Sequence, residues 1–374
     1  MNPVNYLLHY PAEIAFGPGI SASLGEKLAP YKRLLMVVGS HFAKTPEFEK
    51  ILNTLKDHEV RIETGIHAEP PLADVDRVTA SGRDFQADAV VAIGGGSIID
   101  CAKAAAALIP LSGSCAEYFS GSRTIPGKGL FFAALPTTSG TGAEITNNAV
   151  LTDPETKIKK SLRHPSMVAD LAMVDPVLTV SCPPALTAAS GLDAFVQAFE
   201  SYTSPKASAV TQALSCAALI KFAANLEKAC QDGSDLAVRT EMAEGSMMSA
   251  MAFSQTGLGA IHGLAHPIGS LLKVPHGKAC AALIPAVVQW NLPLCKVQYG
   301  EIARKCGFGH TADDFLSVCL DLCRKTGVKA GFHDYGLNGS HFDFIVKNCR
   351  SASMKLNPRP MSDDEVRDML KGLV

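Results

Sequence analysis

Three histidines fall within fifteen residues of an otherwise Gly-, Ala- and Leu-rich stretch: His262 and His266 in IHGLAHP at 261–267, and His276 in VPHG at 274–277. His262 and His266 stand four residues apart, so on a helix they share a face. An acid is available upstream, in GLDAFVQAFE at 191–200, where Asp193 and Gln197 also stand four apart. One carboxylate with two or three imidazoles is the donor set of a catalytic divalent-metal site that keeps a position open. A lone histidine on an apolar face is more often a satisfied core residue, but three at this density point to a metal or catalytic role.

Two loops could hold an anion. Gly94-Gly95-Gly96-Ser97-Ile98-Ile99-Asp100 lies between an apolar strand pattern and a helical one. Glycines let the backbone approach a phosphate, and the first helical amides point at it. The spacing is not GxGxxG, since position 99 is Ile, and such a turn taken alone also serves for tight packing. The second loop, LPTTSGTGAE at 135–144, again follows an apolar strand and offers hydroxyls and exposed amides. Two polar, glycine-bearing loops at strand ends favour a dinucleotide over a surface turn.

The elements that must carry these loops alternate. Leu34–Val38, Asp88–Ile93 and Phe131–Leu135 read as buried strands; Pro46–His58, Asp74–Gln86 and Ile98–Leu108 read as helices. That alternation predicts a parallel sheet covered on both faces, a Rossmann-like α/β dinucleotide-binding domain over residues 1–182. Beyond Pro183-Pro184 the stretches turn long, Ala-, Leu- and Met-rich and helically periodic, which predicts an all-α domain over 183–374. The crevice between two such domains is the expected ligand site.

Composition narrows the function classes. The 374-residue chain is 47% apolar and 19% charged with a net charge of −2, a globular balance with no broad basic surface for nucleic acid. The first sixteen residues lack a basic run followed by an apolar core, which argues against a secretory signal. Apolar stretches such as Ala104–Pro110 are too short to span a bilayer, so no membrane partner is expected. The eleven cysteines are scattered with no CxxC pair and read as reduced, mostly buried thiols of a cytoplasmic protein.

At these same residues the chain closely resembles the iron-containing (group III) alcohol dehydrogenases. Matching stretches include GGGSIID at 94–100, LPTTSGTGAE at 135–144, GLDAFVQAFESYTS at 191–204, GLGAIHGLAHPIGS at 257–270 and VPHGKACAALIPAVVQWN at 274–291. The resemblance implies a dehydroquinate synthase-like fold, an NAD(P)(H) cofactor, a divalent metal and a homo-oligomer, a dimer. It implies that Asp193, His262 and His276 bind the metal and that His266 lies near the reacting carbon. It further implies that Gly95, Gly96, Ser97 and Asp100 form the pyrophosphate loop, with Thr137, Thr138, Thr141 and Lys160 as further cofactor contacts.

Two positions depart from the family. Gln197 stands where members usually have histidine; its neutral carbonyl is a weaker ligand, so the ion is Fe2+ or Zn2+ and the site has three or four protein donors. Gln197 either ligates or hydrogen-bonds its helix neighbours. After the strand Leu34–Val38 the chain reads Gly39-Ser40-His41, where NAD-preferring members often carry an aspartate; its absence makes NADP(H) acceptable, with a lean towards it. The chemistry expected is hydride transfer between the nicotinamide and a small alcohol or aldehyde polarised by the metal, with His266 relaying the proton. Rival readings are a dehydroquinate synthase-like lyase, which would regenerate its cofactor, a metal-free maleylacetate reductase-like enzyme, and a non-enzymatic dinucleotide sensor.

Overall fold

The computed structural model describes residues 6–156 and 158–374. The chain divides into two compact units: residues 9–182 with 234–244 form one, and residues 183–233 with 245–374 form the bulk of the other.

The first unit holds the strands β1 (Glu13–Phe16), β2 (Arg33–Val38), β3 (Glu59–Glu63), β4 (Ala89–Gly94), β5 (Phe131–Pro136), β6 (Asn148–Asp153), β7 (Ile158–Arg163) and β8 (Leu171–Val174). Its helices are α1 (Leu24–Leu28), α2 (Pro46–Asn53), α3 (Leu72–Phe85), α4 (Gly96–Leu108) and α5 (Cys115–Ser120). Six strands make one sheet in the order β1-β8-β5-β4-β2-β3, every pair parallel. The central strands are apolar on both sides because both faces are covered. Leu35 and Val37 pack with residues of α3 and α4, whereas Leu34, Met36 and Val38 pack with residues of α1 and α2. After β2 the chain turns outwards to the edge strand β3, and after β4 it moves the other way to β5. The carboxyl ends of β2 and β4 therefore flank a reversal of strand order, the usual place for a nucleotide in such sheets. Backbone bonds hold the loops there together: Gly39 N–H donates to Ile93 O and Thr137 N–H to Gly94 O, each at 3.0 Å.

Elements outside the alternation also appear. β3 is a half-exposed edge strand. β6 and β7 form an antiparallel hairpin whose second strand, IKKSLR, is largely polar.

The second unit is helical, as the periodicity predicts. It contains α6 (Pro184–Thr203), α7 (Ala209–Gln231), most of α8 (Leu236–Thr256), α9 (Ala260–Leu272) and α10 (His276–Cys306), followed by shorter helices. Every residue of α6 from Thr187 to Thr203 is buried, which makes it the core helix of the unit. The first turns of α8 go with the sheet unit, although the sequence pattern assigns them to the helical half. The buried Arg239 explains this, since its guanidinium donates to the Cys182 carbonyl at 2.9 Å. One expectation needs amending: α7 and α10 are long and apolar enough, by length and composition, to cross a membrane. Both pack against α6, and α10 carries histidine, cysteine and basic residues within its length. No disulfide joins the eleven cysteines among the described residues.

Candidate metal and dinucleotide sites

In the helical unit, α6, α9 and α10 bring Asp193, His262 and His276 together. His262 Nε2 lies 3.1 Å from Asp193 Oδ1, and His276 Nε2 lies 3.8 Å from the same oxygen. Asp193 and His262 are buried and His276 is half-buried. His266, one turn along α9 from His262 and half-buried, stacks on the His276 ring at 4.8 Å between centroids.

A residue that the sequence reading left without a role sets the orientation of His262. Glu200 on α6 accepts from His262 Nδ1 at 2.7 Å and from the backbone amides of Gly259 and Ile261 at 2.9 and 2.8 Å. One carboxylate thus satisfies amides at the entry to α9 and orients the His262 ring so that Nε2 faces Asp193. The signal was present: Asp193, Gln197 and Glu200 recur at helical spacing on α6. Gly277 fixes the approach of α10. A Cβ there would stand 1.7 Å from Ala189 O, so only glycine permits this contact between helix backbones one turn before Asp193.

Two further groups bear on the cluster, Gln197 by its place one helical turn from Asp193 and Cys280 by contact. Gln197 is buried, and its Oε1 has no hydrogen-bond partner among the described residues, so the helix neighbours do not satisfy it. Cys280, which the sequence reading grouped with the core thiols, places its Sγ 3.7 Å from His276 Nε2. Donor atoms of Asp193, His262, His276 and Cys280 all lie within 4.8 Å of one another. Burial works against a charge on His262, but the Cys280 sulfur, Asp193 and Glu200 outweigh it and hold its pKa well above the usual imidazole range. Burial also pushes the Cys280 thiol up to about 11. The pocket therefore draws in positive charge, and its oxygen, nitrogen and sulfur donors with an orphaned carbonyl fit a divalent ion.

The sheet unit gathers the other predicted residues. Gly95 caps α4 without a side-chain bond, leaving the first amides of a 13-residue helix outward. Gly95 packs against Thr138, and a Cβ at Gly96 would meet Thr141 Oγ1 at 2.7 Å, so the two loops lie in contact. Ser97 Oγ accepts from Glu69 N–H at 3.2 Å. The Ser139 hydroxyl is buried without a partner among the described residues, which fits a ligand on this loop. Gly39 is open: a Cβ there would meet nothing nearer than 3.9 Å.

Two residues sit differently from the carried-over reading. Asp100 faces the protein, accepting from Val150 N–H at 3.0 Å, with Lys103 Nζ 3.9 Å away. Lys160 is exposed, with its ammonium 4.5 Å from the Phe119 ring centroid. Alternation along β7 turns its neighbour Lys159 to the other face, where it pairs at 2.7 Å with Glu69, the residue bonded to Ser97. Lys103 was missed entirely. Its buried ammonium donates to Ala143 O, Thr146 O and Asn148 O at 2.6, 2.8 and 2.8 Å and so shapes the end of the second loop. Burial pushes Lys103 down to about 8, Glu144 up to about 7 and Asp100 up to about 6.

Residues 11–176 match the iron-containing alcohol dehydrogenase family, and residues 187–374 match the C-terminal region of the Fe-containing alcohol dehydrogenase family. A long-chain-alcohol dehydrogenase of Geobacillus thermodenitrificans is 38% identical over 352 residues, covering 90% of this chain and 88% of that protein. The crystal structure of a 1,3-propanediol oxidoreductase superposes with a TM-score of 0.94 at 30% identity, covering 99% of this chain and 100% of the other. A sulfoacetaldehyde reductase from Bifidobacterium kashiwanohense, solved in complex with NAD+, superposes at 0.93 with 27% identity and 99% coverage of both chains. The chain therefore belongs to the iron-containing alcohol dehydrogenase family, with its dehydroquinate synthase-like fold, and its reaction is hydride transfer between a nicotinamide dinucleotide and an alcohol or aldehyde.

Proposed function

We propose that Asp193, His262 and His276 hold the catalytic divalent ion, that the loops after β2, β4 and β5 hold the dinucleotide, and that His266 handles the proton. When bound, the dinucleotide supplies or accepts the hydride and the ion supplies the Lewis acidity that draws electron density from the reacting oxygen. Asp193 contributes the anionic donor. His262 contributes Nε2 because its Nδ1–H is committed to Glu200. His266 moves a proton between the substrate oxygen and solvent, a task suited to a half-buried imidazole. The outward amides of Gly96 and Ser97 and the hydroxyls of Thr138 and Thr141 bind and orient phosphate oxygens. Asp100 acts on that site through its bond to Val150, as a positioning residue.

The observation that carries this reading is the buried cluster of Asp193, His262 and His276 with Glu200 fixing the tautomer of one ligand. The open turn at Gly39, with no carboxylate to repel a 2′-phosphate, supports NADP(H) being used at least as well as NAD(H). The ion is Fe2+ or Zn2+, and eleven cysteines with no disulfide among the described residues support a cytoplasmic setting. A panel of small aldehydes and alcohols, assayed with NADH and NADPH before and after chelation, tests the proposal. Chelation should abolish turnover without abolishing dinucleotide binding, and Fe2+ or Zn2+ should restore it. Turnover that ignores the chelator would favour a metal-free reductase, and turnover without net cofactor consumption a synthase.

A further inference from the structure

Cys280 is a donor that the family's ligand pattern does not account for. It stands one turn after His276 on α10, fully buried, with Sγ 3.7 Å from His276 Nε2. An ion bonded at about 2.0–2.1 Å to nitrogen or oxygen and about 2.3 Å to sulfur, at tetrahedral angles, separates N and O donors by about 3.3 Å and N and S by about 3.6 Å. The separations here are 3.1 Å for His262–Asp193, 3.8 Å for His276–Asp193 and 3.7 Å for His276–Cys280. The sulfur thus stands at coordination spacing from His276 and within 4.8 Å of the other donors. At the position where the family usually supplies a further imidazole, this chain has only the neutral amide oxygen of Gln197, a poorer donor to first-row ions.

We propose that Cys280 Sγ is a ligand of the catalytic ion, giving the donor set Asp193, His262, His276 and Cys280. This rests on the cluster being the metal site. Coordination forms a sulfur–metal bond and releases the thiol proton to solvent, with no change of oxidation state. A thiolate in place of an imidazole moves the site from iron towards softer-ligand ions, so Zn2+ and Co2+ are preferred over Fe2+.

The test uses the full-length protein, stripped of metal, kept reduced and titrated with Co2+. The wild type should take up one Co2+ per chain and develop an intense near-ultraviolet sulfur-to-cobalt charge-transfer band. Cys280→Ser should still bind one Co2+, on the order of tenfold more weakly, and lose that band. Cys230→Ser, outside the cluster, should keep it. Cys280→Ala repeats the measurement should the serine variant fail to fold. In Zn2+/Fe2+ competition, the wild type should favour zinc by roughly tenfold more than Cys280→Ser does. One Co2+ bound without the band in the wild type, or a band that survives Cys280→Ser, would overturn the role of Cys280 and leave the metal site standing. Absence of Co2+ binding that depends on His276 would overturn the metal site and this inference together.

Discussion

In the sheet unit the proposed anion-facing surface is made of main chain: amides at the start of α4, glycines that bring two loops into contact, and hydroxyls set around them. In the helical unit the proposed cation-facing surface is made of side chains, each projected from a different helix, with Glu200 holding the ring of one of them. The contrast follows from the ligands. A pyrophosphate is large and diffuse in charge and can be cradled by many weak dipoles, whereas a divalent ion needs a few strong donors at fixed separation. The two surfaces should therefore fail differently. The main-chain site resists loss of any one side chain but not an added Cβ or a reshaped loop, and the side-chain site is lost with one donor.

The sharpest way to break that contrast is His276→Ala. It should lose stoichiometric metal and, with several kcal/mol of Lewis-acid stabilisation gone, about a thousandfold in turnover. Dinucleotide binding, read by quenching or calorimetry, should be unchanged. Full metal occupancy in this variant would remove His276 from the site.

Next in size is Lys103→Met in the sheet unit. It leaves three carbonyls and the Asp100 carboxylate without their buried cation, and breaking such a pair costs about 3–5 kcal/mol. Urea unfolding measures this loss, while Co2+ binding by the helical unit should persist. A stability loss below about 1 kcal/mol would mean that water readily replaces the ammonium.

Glu200→Gln sharpens the comparison within the metal site. It retains the shape but weakens the hold on His262 Nδ1–H, and metal affinity should fall by about 10–100-fold. Equal affinities for the two proteins would reduce Glu200 to a helix cap. A smaller effect is expected from Gly39→Asp, since the site is open and the charge acts at a distance. The NADPH to NADH preference should fall roughly tenfold through repulsion of the 2′-phosphate. Indifference to NADPH in the wild type would refute this reading of the turn.

The smallest effect concerns pH. Asp100 and Glu144 are pushed up by burial, to about 6 and about 7, so the folded state binds protons that the unfolded carboxylates have released. Their contribution to stability is thus fully present below about pH 4 and is lost as pH rises through 6 to 7. Glu144→Gln cannot ionise, and its unfolding midpoint relative to the wild type should climb across that window. A flat difference would show that Glu144 is ionised or solvated in the fold.

The same contrast explains what the sequence made legible. The apolar strands β2, β4 and β5 declare themselves because both faces are buried, and the glycine loops follow directly from them. β3 and the hairpin β6–β7 do not, since half-exposed edge strands and KK pairs lack the apolar pattern. The pleat of β7 separates Lys159 from Lys160 onto opposite faces, a distinction that a KK pair does not carry in its residue types. Asp193, His262 and His276 were readable as residue types in clusters. Cys280 belongs to no CxxC pair and stands among scattered core thiols, although it follows His276 by one helical turn. Lys103 sits in an Ala-rich helix, where nothing local reveals that its ammonium is buried against a loop some forty residues away.

The contact between Gly277 and Ala189 has a bearing on how this site tolerates change. Because α10 rests on α6 backbone against backbone, the distance between His276 and Asp193 is gauged by main-chain atoms rather than by the bulk of intervening side chains. Core residues around the two helices, such as Leu192 or Phe195, can then exchange for others of similar volume while the helices keep their seat. Neutral drift through the hydrophobic interior is thereby uncoupled from the spacing of the metal donors. The constraint is concentrated instead at a single position that admits no side chain at all.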